Sequence, residues 1–305
     1  MITVPQPITP SPDEAVIGSP SLCWSREGGW KAATEQVAVE APLAIEISHE
    51  RRGHDVRNLL AVTMRTPGAD EELAIGFIFA EGLIGGIDDV AGGDAAGENL
   101  RGEKIATWRV RLKRAPREDW RRVSRGLITS SACGLCGRTS LEGLPWRVAP
   151  RAAETTGLSA EFIGSLPQRL RDRQPAFART GGCHGAALFD DGGNLLLARE
   201  DVGRHNAVDK LVGAALRDGV ALAGKILALS GRASFELVQK AAAAGVAVVA
   251  SVGAPSSLAI SLANAAGITL VGFDRGDRFN VYAHVDRLKL QPSGKQTARR
   301  TPSGP

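Results

Sequence analysis

Three apolar runs, KILAL (225–229), VAVVA (246–250) and ITLVGF (268–273), decide the fold of this 305-residue chain. Strands that are apolar on both faces are typical of a parallel sheet with helices packed on both sides. Segments with helical spacing separate the runs, and each of them ends at a glycine, a common helix terminator. The pattern therefore predicts a three-layer α/β domain over residues 126–290.

The chain just before these runs predicts the elements that flank the parallel strands. HGAALF (184–189) and LLLAR (195–199) enclose the polar turn DDGGN (190–194), which is typical of a β-hairpin. Apolar side chains at helical spacing then predict a helix over residues 206–217.

The first half of the chain predicts a smaller α+β domain over residues 21–125. Apolar and charged side chains alternate along residues 104–113, as in a half-buried strand. We also expect strands at 43–47 and 59–64, a helix over Asp70–Ile84 and a Gly- and Ala-rich surface loop over 91–103. Residues 1–20 are predicted to be loose, and residues 291–305 to be a disordered tail.

Composition narrows the class of protein. Apolar content of 43% and charged content of 23% are ordinary for a soluble domain. Four cysteines are too few for a disulfide scaffold, and neither a secretory signal nor a membrane-spanning run is evident. We therefore expect a cytoplasmic protein with no membrane association. In that reducing compartment a CxxC pair is more often catalytic or metal-binding than structural.

Basic residues cluster at positions 109–125. This run contains eight Lys and Arg residues, and its only acidic residues are Glu118 and Asp119. One interpretation is a solvated strand face and loop. The other is a surface that attracts phosphates or an acidic partner. Both interpretations remain open. Nucleic acid is not expected, because no aromatic residues alternate with the charges.

Cys133 and Cys136 form the CxxC pair, in the segment SSACGLCGRT (130–139). A zinc site would need Cys183 and His184 as further ligands, but adjacent residues at a strand start point to opposite faces. A thioredoxin-like dithiol would open a helix directly after a strand, which this polar segment does not predict. The flanking glycines and the nearby cation of Arg138 favour a reactive thiolate that carries sulfur as a persulfide.

Two further polar segments stand out. TGGCHGA (180–186) contains three glycines, which indicate either close approach to a ligand or a tight turn into a strand. In both cases Cys183 is predicted to be a small buried hydrophobe. REDVGRHN (199–206) is the densest polar stretch of the second half, and we expect a site there.

Ligands of open α/β sheets bind at the carboxyl ends of the parallel strands. Here those ends are SGRAS (230–234), SVGAPS (251–256) and FDRGDR (273–278). The first two precede predicted helices, whose N-termini suit phosphate. Asp274 or Asp277 could accept paired N–H donors from a guanine edge. The strand ends therefore predict a nucleotide site.

Several of these motifs together resemble those of a known family. They are SACGLCG (131–137), TGGCHGA (180–186), EDVGRHNAVDK (200–210), SGR (230–232) and FNVY (279–282). The chain resembles the formate dehydrogenase accessory sulfurtransferases, the FdhD family, from about residue 40 to 288.

The resemblance implies a cytoplasmic homodimer that takes sulfur from a cysteine desulfurase. It implies delivery of that sulfur to bis(molybdopterin guanine dinucleotide), which the protein binds as a substrate. The delivery would make formate dehydrogenase competent. It also implies a cytidine-deaminase-like fold for the second domain, without a metal of its own. The persulfide role falls on Cys133, with Cys136 assisting. Cofactor binding falls on Phe273, Asp274, Arg275, Gly276, Asp277 and Arg278, with Arg232 as an additional cation.

A second class of function remains open at this point. The chain could be a non-catalytic chaperone that only holds the guanine dinucleotide cofactor, with a structural or vestigial CxxC pair.

Overall fold

The computed structural model describes residues 14–122, 128–129 and 155–289. Its strands lie in three sheets, of two, five and six strands. The strands are β1 (Val16–Ser25), β2 (Gly29–Ala38), β3 (Ala41–Arg51), β4 (His54–Arg65), β5 (Val90–Ala96), β6 (Ala106–Leu112), β7 (Ile128–Thr129), β8 (His184–Phe189), β9 (Leu195–Asp201), β10 (Ile226–Leu229), β11 (Val248–Ser251), β12 (Thr269–Gly272) and β13 (Asn280–Ala283). The α-helices are α1 (Asp70–Ala80), α2 (Ala160–Arg171), α3 (Pro175–Thr180), α4 (Arg204–Arg217), α5 (Phe235–Ala243) and α6 (Ser257–Ala266).

The six-stranded sheet is built around the three apolar runs. Its order is β13-β12-β11-β10-β8-β9, and β10, β11 and β12 are parallel to one another. The parallel pairing predicted from their sequences is confirmed, and so is the β8–β9 hairpin. Helix α4 begins at Arg204, two residues before its predicted start.

Both faces of this sheet are covered by helices. Leu227 and Leu229 of β10 belong to a core shared with α4, α5 and α6. Ile226 and Ala228, which alternate with them, belong to a second core shared with α2. Two-sided burial explains why these strands are apolar throughout. The expected likeness to cytidine deaminases stays a prediction.

The five-stranded sheet, in the order β5-β6-β3-β4-β7, occupies the first half of the chain. Helix α1 packs on it, and Leu73 and Ile78 join Ile45, Ile47 and Val110 in one core. The helix ends at Ala80 rather than at the predicted Ile84. Gly82 follows with a φ of 72°, and the next amide, that of Leu83, donates to the Ile78 carbonyl at 2.9 Å. Gly82, in the left-handed conformation, therefore closes the helix before the predicted Gly85.

Two segments differ from their predictions. The loop expected at residues 91–103 begins with strand β5, which pairs antiparallel with β6. A Cβ at Gly93 would lie 2.8 Å from Trp108 Nε1, so the glycine leaves room for the indole of the neighbouring strand. Strand β1 begins at Val16, inside the segment predicted to be loose, and pairs with β2 along its whole length. The predicted domain boundaries stay predictions.

Helices α1 and α4 join the two larger sheets. A methyl group at Gly76 of α1 would overlap the Asp209 carbonyl of α4, and one at Gly213 of α4 would overlap the Glu72 carbonyl of α1. The two glycines let the helix backbones touch. Among the described helices none is both long and apolar enough to span a membrane.

Candidate functional site

The carboxyl ends of β10, β11 and β12 form one wall of a pocket of about 260 Å³. Ser230, Val252 and Asp274 line this wall, and each lies immediately after one of the three strands or within two residues of its end. Helix α2 and the chain that follows it also line the pocket, with Arg171 and Gln174. The pocket therefore lies where open α/β sheets bind their ligands.

Asp274 is the buried acid of the pocket, with 1% of its surface exposed. Its backbone N–H donates to the Ser251 carbonyl at 3.1 Å, which fixes it beside the end of β11. Its Oδ1 accepts from the Gly276 N–H at 3.2 Å. In the part of the chain that the structure describes, Oδ2 has no hydrogen-bond partner. Burial raises the pKa of this carboxyl to about 6, although the Gly276 N–H opposes the shift.

Of the residues predicted to bind the cofactor, the structure brings three to the pocket. They are Asp274, Arg275 and Gly276. The other predicted residues do not line it, and these are Phe273, Asp277, Arg278 and Arg232. Because Asp277 is exposed and Asp274 is buried, Asp274 is the carboxylate placed to read a ligand inside the pocket.

The predicted helix N-termini lie at this edge of the sheet. Ser256 precedes α6, and its hydroxyl accepts from the Ala259 N–H at 3.2 Å, so the chain caps this helix itself. Ser234 precedes α5 without forming such a cap. Its hydroxyl lies 3.4 Å from His205 Nε2, which is also 2.8 Å from Glu236 Oε2. Of the two, the α5 terminus is the one left without a side-chain cap.

Sequence reasoning missed Gln174, which lies between α2 and α3 with 2% of its surface exposed. Its side chain lies over Gly185 of β8, where a Cβ would come within 2.6 Å of Gln174 Cδ. The signal available in the sequence was Gly185 itself, since its motif indicated close approach of another group. Gly181 forms the tight turn that was the other interpretation of these glycines. It follows α3 in the left-handed conformation, with a φ of 67°, and the chain then enters β8.

The polar stretch at residues 199–206 is engaged by contacts within the chain. Arg199 pairs with Glu72 of α1, and Glu200 accepts from the Ala176 and Phe177 N–H groups at the start of α3, both at 2.8 Å. These contacts explain much of the polar density without a ligand. The site expected in this stretch stays a prediction.

Asp201 and Asn206, in the same stretch, connect the two larger sheets. The buried Asp201 pairs with Lys210 at 2.7 Å and accepts from the Thr66 N–H at 3.1 Å. Asn206 donates to the Met64 carbonyl at 2.8 Å. This part of the stretch is a joint between the sheets.

Four of the eight basic residues in the cluster pair with carboxylates from outside its own run. Arg109 pairs with the fully buried Glu46, and Asp94 accepts from Arg109 and Arg111. Asp89 pairs with Arg114 and Arg117. The Gly85 N–H and then these two arginines lower the pKa of Asp89 to about 2, against the effect of burial. The local surplus of positive charge is therefore smaller than the sequence indicated.

The cysteines fall into two groups. Cys133 and Cys136 lie outside the described residues, and the thiol roles predicted for them stay predictions. Cys183 is buried, with its Sγ 3.9 Å from Thr66 Oγ1, and burial raises the pKa of its thiol. Its predicted character as a small buried side chain is confirmed. Among the described residues, no three His, Cys, Asp or Glu side chains are grouped as metal ligands would be.

Comparison with known proteins places the chain in a family. The model of the FdhD/NarQ family matches residues 38–289. A sulfur carrier protein FdhD of Anaeromyxobacter dehalogenans (strain 2CP-C) is 49% identical over 275 residues, 87% of this chain and 92% of the relative. The protein of the same name from Mycobacterium tuberculosis (strain ATCC 25618 / H37Rv) is 46% identical over 262 residues, 83% of this chain and 92% of the relative.

A solved structure agrees with this placement. The crystal structure of a putative formate dehydrogenase accessory protein from Desulfotalea psychrophila superimposes with a TM-score of 0.66 at 27% identity. The match covers 90% of this chain and all of the other. This chain belongs to the FdhD/NarQ family.

Proposed function

We propose that this protein is a sulfur carrier that serves the maturation of formate dehydrogenase. The observation that carries the proposal is the family match over residues 38–289, since this range contains both the CxxC pair and the pocket. Relatives that are 43–49% identical are named sulfur carrier proteins. The structural neighbour is described as a formate dehydrogenase accessory protein.

Cys133 is the proposed acceptor of sulfur. Its thiolate attacks the outer sulfur of a persulfide on a cysteine desulfurase. A new S–S bond forms on Cys133 Sγ, the S–S bond of the donor breaks, and the donor leaves as a thiolate. The exchange involves no net oxidation or reduction.

Cys136 is proposed to assist in delivery. Its thiolate attacks Cys133 Sγ, which forms a Cys133–Cys136 disulfide and breaks the bond to the outer sulfur. That sulfur leaves as hydrosulfide, reduced by two electrons that the two thiols supply. A dithiol reductant then restores the pair.

The proposed receiving substrate is bis(molybdopterin guanine dinucleotide), and the pocket at the strand ends fits part of it. A volume of about 260 Å³ is below the roughly 300–1,000 Å³ of sites for drug-sized ligands, so the pocket suits one base rather than a dinucleotide. Asp274 Oδ2 is a buried acceptor without a partner among the described residues, which suits the N–H donors of guanine. The exposed Arg232, Arg275 and Arg278 at the same edge would face phosphates.

Intact mass spectrometry tests the carrier role. After incubation with a cysteine desulfurase and cysteine, the parent protein should gain a sulfur-sized mass that a reductant removes. Cys133→Ala should not gain it, whereas Cys136→Ala should gain it and keep it. Cys23→Ala is the matched control, because Cys23 is an exposed thiol outside the pair. An equal gain in Cys133→Ala would contradict the assignment, and no gain in the parent would favour a chaperone that only holds the cofactor.

A further inference from the structure

The outer half of the β1–β2 hairpin presents an apolar face to solvent. Trp24 and Trp30 are paired across the hairpin and are 58% and 63% exposed. Leu22, two residues before Trp24 and so on the same face, is 37% exposed. Alternation along the two strands adds three more exposed residues to this face, Pro20, Ala32 and Thr34. We call these six residues the indole face. Apolar side chains gathered in one exposed patch are typical of an interaction site.

The base of the hairpin is fixed to helix α3. A Cβ at Gly182, just after α3, would lie 3.2 Å from the Ala38 Cβ, and Arg179 of α3 donates to Gln36 Oε1 at 2.8 Å. Ala38 and Gln36 alternate onto the same face of β2 as Trp30. Helix α3 therefore covers the inner half of this face and holds the outer half, the indole face, in a defined position.

The indole face carries no ionisable side chain. The charged residues of the hairpin lie in its turn or on its opposite face, and these are Arg26, Glu27, Lys31 and Glu35. An uncharged face offers no electrostatic complement to a charged partner, so it fits an uncharged one. A lipid bilayer fits less well, because the charged turn lies beyond the two tryptophans and would have to be buried with them.

The size of the indole face limits the size of its partner. An aromatic side chain buries 150–250 Å² when fully covered, so the exposed parts of the two indoles and their neighbours offer roughly 400 Å². A stable interface between folded proteins buries about 800 Å² on each side. The face therefore suits a short segment rather than a folded domain or a second copy of this chain.

The shape of the hairpin selects the conformation of that segment. Proline in an edge strand hinders the pairing of a further strand, so Pro20 favours binding to side chains over binding to the backbone of β1. Segments in the polyproline II conformation bind to aromatic side chains in this way, and they lose little entropy because they are already extended. Two prolines three positions apart in such a segment are about 9 Å apart. The strand from Pro20 to Trp24 spans about 13 Å, which is long enough for one such repeat.

We propose that the indole face binds an uncharged, proline-rich segment of a partner protein in the polyproline II conformation. The proline rings pack on Trp24 and Trp30, and Leu22 and Ala32 contact the next part of the segment. This interaction goes beyond the proposed function and does not depend on sulfur transfer.

Fluorine NMR of the full chain labelled with 5-fluorotryptophan tests the proposal. The chain has five tryptophans, and Trp24→Phe and Trp30→Phe assign the two signals of the face. The probe is nonaproline with both ends capped, and a capped Gly-Ser peptide of the same length is the control ligand. Nonaproline should shift the Trp24 and Trp30 signals until they saturate and leave the signal of Trp108, in β6, in place. The Gly-Ser peptide should shift none of them.

Two variants of the hairpin locate the binding face. Ala32→Asp keeps both indoles but places a carboxylate under the ligand, so it should bind nonaproline about 10-fold more weakly. Lys31→Ala is the matched control, because it changes the neighbouring residue on the opposite face, and it should bind nonaproline as the parent does.

The parent protein alone can overturn the proposal, so misfolding of a variant cannot protect it. Trp24 and Trp30 signals that do not move in millimolar nonaproline would overturn it, and so would an equal response to the Gly-Ser peptide. If those signals instead moved only on raising the protein concentration, the face would belong to a second copy. If they moved only with phosphatidylglycerol vesicles, it would belong to a membrane. Unchanged affinity in a folded Ala32→Asp protein would also contradict the assignment.

Discussion

At the scale of single residues, Asp274 is a buried carboxyl group that adds little to the stability of the folded state. The raised pKa means that the folded state holds a proton that the unfolded state releases, between the ordinary value near 3.9 and about 6. Stability conferred by the protonated form is therefore lost as the pH rises through this window. A residue that costs stability at neutral pH while lining a pocket is typical of a binding site.

The first prediction concerns this pH dependence. The difference in unfolding free energy between Asp274→Asn and the parent should shift in favour of the variant as the pH rises from 4 to 7, because asparagine does not ionise. Urea unfolding at several pH values without ligand measures it. Asp286→Asn is a control with an exposed carboxyl, and its difference from the parent should change less. A pH-independent difference for Asp274→Asn would contradict the raised pKa.

The second prediction concerns Cys183. Its thiol is buried and its pKa is raised by burial, so it is a poor nucleophile at neutral pH. Cys183→Ala should lower the unfolding free energy by about 1 kcal/mol through the small volume lost, and should leave sulfur loading unchanged. Thermal melting and intact mass measure the two effects. Loss of loading in a folded Cys183→Ala protein would show that the sulfur route includes this residue.

The sequence could identify Asp274 but not Gln174. Asp274 follows an apolar strand, and ligands gather at such ends, so position alone made it a candidate. Gln174 precedes a proline between two helices, where a polar residue is common for many reasons. Its burial depends on contacts with Gly185 and with α3, which only the folded chain brings together.

At the scale of elements, prediction succeeded where burial on both faces leaves a strong pattern. The apolar runs of β10, β11 and β12 are buried along their whole lengths and could be recognised individually. Strand β5 contains two glycines and is exposed in part, so neither alternation nor apolar content marked it. Its pairing with β6, rather than its own propensity, makes it a strand.

The third prediction concerns the crossing of α1 and α4. Gly213→Ala should lower the unfolding free energy by about 2 kcal/mol, because the added methyl meets the backbone of α1 and backbone cannot move aside easily. The loss should exceed the gain of about 1 kcal/mol that alanine brings to a helix. Urea unfolding measures the change.

Gly86→Ala provides the control for that experiment. The backbone of Gly86 is extended, and no atom lies within 4 Å of a Cβ built there, so its change should be small. A Gly213→Ala protein as stable as the parent would show that the two helices are not held in this close contact.

At the scale of the whole molecule, a buried ion pair of the second half connects the two larger sheets through its hydrogen bonds with Thr66. Lys210 Nζ lies 2.7 Å from Asp201 Oδ2 and donates to the Thr66 carbonyl at 2.8 Å. Both side chains are almost completely buried. This joint holds the segment after β4 against β9 and α4.

The fourth prediction follows from that joint. Lys210→Met should lower the unfolding free energy by about 3–5 kcal/mol, because it leaves the Asp201 carboxylate buried without its partner. The double variant Asp201→Asn/Lys210→Met should recover part of the loss, since no charge then remains unpaired. Urea unfolding of the three proteins measures both effects. A loss below about 1 kcal/mol in Lys210→Met would contradict a buried joint.

The sequence could not predict this arrangement. The contacts of Asp201 and Lys210 with Thr66 join residues 135 and 144 positions apart, and no local pattern marks such partners. The charged groups of Asp201 and Lys210 make contacts between the halves of the chain, which the local sequence does not indicate. The same long-range pairing reduced the positive surplus of the basic cluster, through Glu46, Asp89 and Asp94.

The most direct test of sulfur carriage follows the sulfur itself. Sulfur-labelled cysteine is supplied to a cysteine desulfurase, this protein and an inactive formate dehydrogenase that contains its unsulfurated cofactor. With the parent protein, label should reach the dehydrogenase as its activity appears. With the double variant Cys133→Ala/Cys136→Ala, both label and activity should be absent although GDP still binds. Activation by the double variant to the level of the parent would contradict sulfur carriage and leave a chaperone that only holds the cofactor.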